Sequence, residues 1–419
     1  MSTWNGWRGR SATFGGHERL REGICIVGGK LQGMEAAYLA GKAGYEVMLI
    51  DKAPEPPAAA LADEFYRMDV LKDLEATKTA FRRAAAVLPA LEDEAALATI
   101  VRASRKAGVP CMHDEGAFLK TSRKDAFSEL CRVWGLPQPA RYPMAKFPMI
   151  VKPVVGSGSR GVALVRNRAE MQNAVGEDSS KWMIQECVNG IFLSLELLGM
   201  NGEAMPFQVT CLEFDETYGC KRVLAPSGIG DGIRDRIEEI GDKLVKGLDL
   251  KGVTDLQVAL RSDNSSLDVI EANARLPSQT PTVVFHSAGE NLVALLADIF
   301  INSRLPKINK HQEKGVIYQH LLFGDGTVRV AAEHNIAHAT GLRIETNFHG
   351  ADEAITNLPQ EGSAKGYVAT LIIVDSDLSR AKIRMEEATE SLCEHYKVFR
   401  NEERSPFGMT RVYDKIEKR

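Results

Sequence analysis

Val269-Ile270-Glu271-Ala272-Asn273-Ala274-Arg275 sets a carboxylate, a carboxamide and a guanidinium at alternate positions of an otherwise apolar run. Read as a strand, whose side chains alternate between faces, it sends Glu271, Asn273 and Arg275 to one side and Ile270, Ala272 and Ala274 to the other. Two oxygen donors and a fixed cation on one face suit a nucleotide triphosphate with its Mg2+. A solvated edge strand carries the same alternation, so the surrounding sequence decides.

Upstream, residues 253–260 read as a second strand with Asp255 and Gln257 on one side, and Asp263-Asn264-Ser265-Ser266 is the turn between the two. The resulting hairpin can bring Gln257, Glu271 and Asn273 to one metal cluster. Further upstream, Met149-Ile150-Val151-Lys152-Pro153 is a strand that ends in a lysine and runs into Val154-Val155-Gly156-Ser157-Gly158-Ser159-Arg160-Gly161. Glycine and serine in that density give a loop whose amides and hydroxyls can approach phosphate closely. The spacing does not fit the G-x-x-x-x-G-K-[ST] pattern, which excludes a Walker-type site. Trp182-Met183-Ile184-Gln185-Glu186-Cys187-Val188 reads as a strand leading into the Asn189-Gly190 turn. Its backbone is suited to an adenine edge, and Glu186 to ribose hydroxyls. Ser194 and Glu196 follow on the polar face of the next strand.

At the other end, Ile24-Cys25-Ile26-Val27, a Gly28-Gly29-Lys30 turn, a helix to Gly41 and a strand closing on Asp51 spell strand, turn, helix, strand. That order predicts parallel strands with a right-handed crossover. Lys30 occupies the place of the second glycine of the dinucleotide fingerprint, where a side chain would crowd a pyrophosphate. Beside a helix N-terminus it still favours an anion.

The chain has 419 residues, 44% of them hydrophobic and 26% charged, with a net charge of -4, enough to bury a large core in two or three domains and too acidic to bind nucleic acid through bulk charge. Seven cysteines at 25, 111, 131, 187, 211, 220 and 393 show no Cys-x-x-Cys pair, so neither a disulfide framework nor a zinc site is indicated and a reduced cytoplasm is the expected location. The longest apolar stretch, residues 291–301, is too short to cross a bilayer. His334-x-x-x-His338 has helical metal spacing, but no acidic partner stands close enough to make a site of it.

Taken together, Lys124, Lys152, the glycine-serine loop, Gln185-Glu186-Cys187-Val188, Gln257 and Glu271-x-Asn273-x-Arg275 resemble the ATP-grasp superfamily of carboxylate-amine ligases. Ile26-Val27-Gly28-Gly29-Lys30-Leu31-Gln32-Gly33, Ala62-Asp63-Glu64-Phe65-Tyr66, Asp215-Glu216-Thr217-Tyr218 and Ala274-Arg275-Leu276-Pro277-Ser278-Gln279-Thr280-Pro281-Thr282-Val283-Val284 are similar to the ligase family of pyrrolysine biosynthesis. The Pro-Ser-Gln-Thr-Pro-Thr run is the most specific part. The likeness covers about residues 23–395.

The resemblance implies an α/β and α+β fold: a Rossmann-like parallel-sheet domain over 23–120, a central ATP-grasp subdomain over 121–195, and a C-terminal domain with the metal site over 196–400, between a leader of 22 residues and a tail from 401. It implies an ADP-forming ligase that activates the carboxylate of 3-methyl-D-ornithine as an acyl phosphate and joins it to the side-chain amine of L-lysine. ATP and two Mg2+ ions are the implied cofactors, with no nucleic-acid or membrane partner and a homodimer as the implied assembly. On the matching positions Lys124 and Lys152 hold phosphates, Ser157, Gly158 and Ser159 cover the transferred group, Glu186, Cys187 and Val188 receive the base, and Gln257, Glu271 and Asn273 hold metal. Arg275 and Lys152 carry the catalytic charge. Ser194, Glu196, Asp255, Ser278 and Thr280 grip the ornithine end, and Leu31, Gln32 and Glu92 the lysine. Lys30, Asp51, Asp69 and Val70 are candidates for nucleotide contacts. Gln257 and Asn273 stand where the family carries acids, so weaker metal affinity is expected. A related ATP-grasp ligase with other amino-acid substrates, or a nucleotide-binding module or nicotinamide enzyme built on Gly28-Gly29 and Asp51, remain as alternatives.

Overall fold

The structure, a computed structural model, describes residues 23–262, 266–307, 312–360, 362 and 365–401; the expected leader, most of the tail and the 263–265 turn lie outside them. The chain begins with β1 (Gly23–Val27), α1 (Leu31–Lys42), β2 (Glu46–Asp51), β3 (Glu64–Arg67), α2 (Leu74–Phe81), β4 (Ala86–Pro89) and α3 (Glu94–Ala107). The strands form a parallel sheet in the order β3-β2-β1-β4. Ile24 and Ile26 pack on the α1 side, Cys25 and Val27 on the α2 and α3 side. Helices on both faces are why these strands read as unbroken apolar runs. The turn after β1 is tight: a Cβ at Gly28, with φ +105°, would lie 2.5 Å from the Ala90 carbonyl oxygen, and one at Gly33 would lie 2.0 Å from that of Gly28.

Next, α4 (Glu115–Thr121) and α5 (Lys124–Val133) lead to β5 (Met149–Pro153), β6 (Ala163–Val165), α6 (Arg168–Val175) and β7 (Trp182–Glu186), an antiparallel sheet in the order β6-β5-β7. The 182–188 segment is strand only as far as Glu186, because the Cys187 N–H turns away to the Pro148 carbonyl at 3.1 Å.

The remaining elements are β8 (Gly190–Met200), β9 (Glu203–Phe214), β10 (Cys220–Ala225), α7 (Asp231–Leu248), β11 (Gly252–Arg261), β12 (Leu267–Asn273), α8 (Thr280–Ala288), α9 (Leu292–Ile301), β13 (Gly315–Phe323), β14 (Thr327–Val330), β15 (Arg343–Phe348), β16 (Ala351–Thr356), β17 (Val368–Asp375), α10 (Leu378–Tyr396) and β18 (Phe399–Arg400). They build a large antiparallel sheet whose main order is β12-β11-β8-β9-β10-β13-β17-β16-β15. One face packs on α7 and α10, where Leu193, Leu195 and Leu197 meet Leu244 and Met385. The other face turns toward α1, α8 and α9. Alternation along β8 sends Ser194, Glu196 and Leu198 to this second face, so polar groups become buried between the large sheet and the elements over it.

Two expectations at the hairpin are corrected. The strand stops at Asn273 and Arg275 stands in the bend beyond it, so the three side chains do not share a single regular strand. In addition, Gln257 pairs with Glu271 but Val258 pairs with Val269, a bulge that leaves Ile270 without a partner. The core on the α7 face therefore receives Val269, Ala272 and Ala274, while Ile270 is half-buried.

The parallel sheet is tied to the large one through α1. Fully buried Glu35 accepts the Thr282 N–H at 2.6 Å and so fixes the start of α8. The Tyr38 hydroxyl lies 2.7 Å from His286 Nε2 and donates to Glu353 at 2.7 Å, and Lys42 reaches Glu353 at 2.5 Å. Among the described residues no single helix is long and apolar enough to cross a membrane.

Candidate active site

Antiparallel register assembles the site. Ser194, Gln257 and Glu271 lie side by side on β8, β11 and β12, and Glu196, Asp255 and Asn273 form the row beside them. Neighbouring strands stand about 4.8 Å apart, so each row is a ladder of polar side chains across one face. The Gln257 and Asn273 amides both donate to Asp255 Oδ2, at 2.9 and 3.2 Å. That leaves their carbonyl oxygens for another partner. Glu271 accepts no hydrogen bond from the described residues and lies close enough to Lys152 and Arg275 to act on their charge. One carboxylate and two amide oxygens form a hard-oxygen set of the kind Mg2+ takes together with substrate phosphates. No group of three His, Cys, Asp or Glu side chains with metal-site geometry occurs among the described residues.

Burial pulls the Lys152 ammonium down to about 8, with Glu271 opposing and Lys124 reinforcing the shift. Its Nζ points to the Ile270 carbonyl at 3.4 Å, the oxygen that the bulge exposes. Lys124, the first residue of α5, donates to the Gly156 carbonyl at 2.5 Å. Two lysines thus flank the glycine-serine loop. Ser159 Oγ donates to the Tyr218 carbonyl at 2.6 Å, while Gly156 and Gly158 have positive φ and open space where a side chain would stand.

Arg275 donates to Glu92 at 2.9 Å and lies 3.6 Å from Asp255. Burial acts to raise the Glu92 carboxyl, but Arg275, with hydrogen bonds from Ser157 and Gln32, outweighs it and holds Glu92 below the usual range. Gln32 and Glu92 from the parallel-sheet unit, Ser157 from the loop, and Arg275 and Asp255 from the large sheet therefore meet in one network. Deeper along the row, Glu196 is fully buried, accepts from Ser194 at 3.0 Å and is approached by the Thr280 hydroxyl. Burial pushes its carboxyl up to about 7 and also raises that of Asp255, against the pull of Arg275. These are acids in need of a cation.

Other expected residues lie to the side. Glu186 is bound to Arg261 by two hydrogen bonds of 2.8 and 3.0 Å, and Arg261 also meets Asp268 at 2.8 Å. The Glu186 carboxylate is thus engaged within the protein, its Arg261 bonds holding it below the usual range, with half-buried Cys187 and buried Val188 following it. Asp51 accepts from the Gly29 and Ala53 amides at 2.7 Å each, which makes it a brace of the first glycine turn. Asp69 accepts the Leu71 amide at 3.1 Å next to buried Val70. No hydrogen bond or ion pair among the described residues joins these three, Lys30 or Leu31 to the central network.

Two contributors, Glu333 and Arg261, had no motif to announce them. Glu333, at the start of a 3-10 turn spanning Glu333–His338, accepts from Ser278 at 3.2 Å and from Gln279. Gln279 itself sits at φ +74°, a strained position of the kind that collects at functional sites. Arg261 is fixed by the register of β11 and β12 and not by any local pattern. Glu333, next to His334 in the chain, turns to Ser278 and Gln279.

A profile of the ATP-grasp domain matches residues 126–279, the span from α5 to the turn before α8. The 3-methyl-D-ornithine–L-lysine ligase of Methanosarcina barkeri is 35% identical over 307 residues, 73% of this chain and 81% of that protein. Among solved structures, the ADP complex of N5-carboxyaminoimidazole ribonucleotide synthetase superposes with a TM-score of 0.68 at 16% identity, covering 90% of this chain and 98% of its own. The L-amino acid ligase from Bacillus licheniformis does so with 0.64 at 15% identity, covering 89% and 98%. The structural likenesses establish an ATP-grasp fold, and the identity to the curated relative across most of both chains establishes the rest: this chain belongs to the 3-methyl-D-ornithine–L-lysine ligase family of ATP-grasp enzymes.

Proposed function

We propose that this ATP-dependent carbon-nitrogen ligase phosphorylates the carboxylate of 3-methyl-D-ornithine and joins the resulting acyl group to the side-chain amine of L-lysine, releasing ADP and phosphate, as a step of pyrrolysine biosynthesis. The carrying observation is the row of buried acids, Asp255 and Glu196, that starts beside the Asn273 and Arg275 end and runs inward. A substrate with two ammonium groups behind a carboxylate matches that row charge for charge, whereas a monoamino acid brings one ammonium to the two buried acids.

In this reading Lys124 and Lys152 hold the phosphates, the 156–161 loop covers them, and Arg275 leaves Glu92 to meet the developing charge on the transferred group. Preorganised cations of this kind carry most of the catalysis in phosphoryl transfer. Glu271, Asn273 and Gln257 would hold the divalent metal, two Mg2+ ions in our reading, which when bound neutralises the phosphate oxygens. Glu92, released from Arg275, is then free to hold the incoming lysine ammonium together with Gln32 and to take its proton. The 186–188 segment offers the Val188 N–H to the base.

Purified protein with ATP, Mg2+, 3-methyl-D-ornithine and L-lysine should yield ADP, phosphate and an amide of the summed mass less water by mass spectrometry. Release of AMP, or a product only with a different pair of amino acids, would overturn the assignment.

A further inference from the structure

Between Leu195 and Leu197 the β8–β9 register slips: Leu195 pairs with Val209 and Leu197 with Pro206, so that Phe207 and Gln208 together stand opposite Glu196. Phe207 and Leu212 belong to the core on the α8 side and Val209 and Cys211 to the core on the α7 side; alternation from Thr210 places Gln208 on the same face as Thr210, Ser194 and Glu196, and the bulge keeps Phe207 on that face as well. Gln208 is 9% exposed, and neither its carbonyl oxygen nor its amide nitrogen has a hydrogen-bond partner among the described residues. Burying a carboxamide with its hydrogen bonds unmade is unfavourable. Arg222, buried in the same sheet, is met by Glu213 at 2.5 Å and Gln319 at 2.6 Å, whereas both polar side-chain atoms of Gln208 lack a partner among the described residues. Gln208 therefore prolongs the row Asn273, Asp255, Glu196 by one strand, and it does so with its bonds unmade.

We infer that Gln208 is a specificity-determining residue that accepts a hydrogen bond from the distal ammonium of the activated diamino acid, beside the Glu196 carboxylate. The inference rests on the function proposed above. With the reacting carboxylate at the β12 edge, Asp255 takes the proximal ammonium and the chain runs inward over β8. Its far end arrives between Glu196 and Gln208, under the first turn of α8. Glu196 supplies charge and Gln208 supplies direction. The pair thereby selects for an amine at that distance and against a methyl group or a shorter chain, since a site built to hydrogen-bond a polar group rejects the analogue that lacks it.

The test compares D-ornithine with D-norvaline, which has the same carbon chain without the distal amine, in the full-length enzyme with ATP, Mg2+ and L-lysine. Gln208→Met keeps the volume and removes the acceptor. Its kcat/KM for D-ornithine should fall at least about tenfold, the range for losing a hydrogen bond to a charged group, while the value for D-norvaline, or its inhibition constant if it is not turned over, stays within about twofold. KM for ATP and for lysine should not move, which reports an intact fold. Gln208→Asn, polar but one methylene shorter, should shift preference toward D-lysine, whose amine reaches one methylene further. Equal loss on D-ornithine and D-norvaline, or no loss on either, would overturn the inference. A wild-type enzyme that turns over no diamino acid removes the proposed function itself and this inference with it.

Discussion

At the β12 edge of the large sheet, Glu271 is half-buried, accepts no hydrogen bond among the described residues and faces the Lys152 charge. Two strands inward on the same face, Glu196 is fully buried, hydrogen-bonded to Ser194, and raised to about 7 by desolvation. The same functional group stands in two settings. The edge carboxylate lies beside the Lys152 ammonium, whereas burial raises the interior carboxyl, which below about 7 is held uncharged until a cation arrives. Position along the sheet divides the labour between the two ends.

The largest effect belongs to the edge. Glu271→Gln removes the single carboxylate of the oxygen set and should lower kcat by about 10^2–10^3-fold, in the range of losing one preorganised electrostatic group. Because Glu271 supports no internal hydrogen bond, the melting temperature should move by less than about 2 °C. Steady-state ADP release and calorimetry check the two halves, and retained turnover would remove the metal assignment.

Glu196→Gln should act in the opposite sense on stability and more mildly on catalysis. KM for the diamino acid should rise about 10–100-fold from loss of a desolvated charge partner, with kcat changed far less. For stability the sign follows from linkage. The carboxyl has a folded value of about 7 against 4.5 for the unfolded chain, so between those limits the unfolded state alone ionises. The wild type therefore loses up to about 3 kcal/mol as pH rises from 4.5 to 7, and the glutamine variant does not. Denaturant titrations at pH 5 and pH 8 should show the variant gaining on the wild type only at the higher pH. The same group predicts that the wild-type KM for the diamino acid increases by up to about tenfold per unit as pH falls below about 7, because the cation then meets a protonated acid, with Asp255, itself raised, adding to the trend. A pH-independent KM in the wild type would show that Glu196 is not the partner.

How much of this was legible in the sequence follows the same division. The edge was readable, since Glu271-x-Asn273 and Lys152 before a glycine-serine loop are local patterns with period-two geometry. Even there the sequence overextended the strand to Arg275, because the bend after Asn273 and the bulge at Ile270 are set by pairing with β11. The interior was legible only in part: Ser194, Glu196 and Asp255 alternate visibly, but Gln208 comes from the neighbouring strand and Glu333 from a distant 3-10 turn, and only the pairing of distant segments brings them to the row. Glu186 and Asp51 show the converse. Their acidic character was plain, but Arg261 in one case and the Gly29 and Ala53 amides in the other engage them within the protein. Long-range partners decide whether an acid is free, and local sequence does not carry that information.

The smallest expected effect concerns the two amides beside Asp255. Gln257 and Asn273 both donate to Asp255 Oδ2, which a carboxylate at either position could not do without trapping a proton. In the proposed function the amides let a buried acid serve the substrate end while their own oxygens serve the metal end. Asn273→Asp adds a negative charge to the oxygen set and should tighten Mg2+, but it also sets a second carboxylate 3.2 Å or so from Asp255, a repulsion that the metal relieves. The variant should be about 1–2 kcal/mol less stable than wild type without metal, of the order seen when a buried hydrogen bond is lost, and should recover most of that in millimolar Mg2+. Melting temperatures measured across a Mg2+ titration should therefore rise more steeply for Asn273→Asp than for wild type, with kcat at saturating Mg2+ within a few-fold. Equal slopes would mean that Asn273 faces Asp255 alone and that the metal end of the row consists of Glu271 and Gln257.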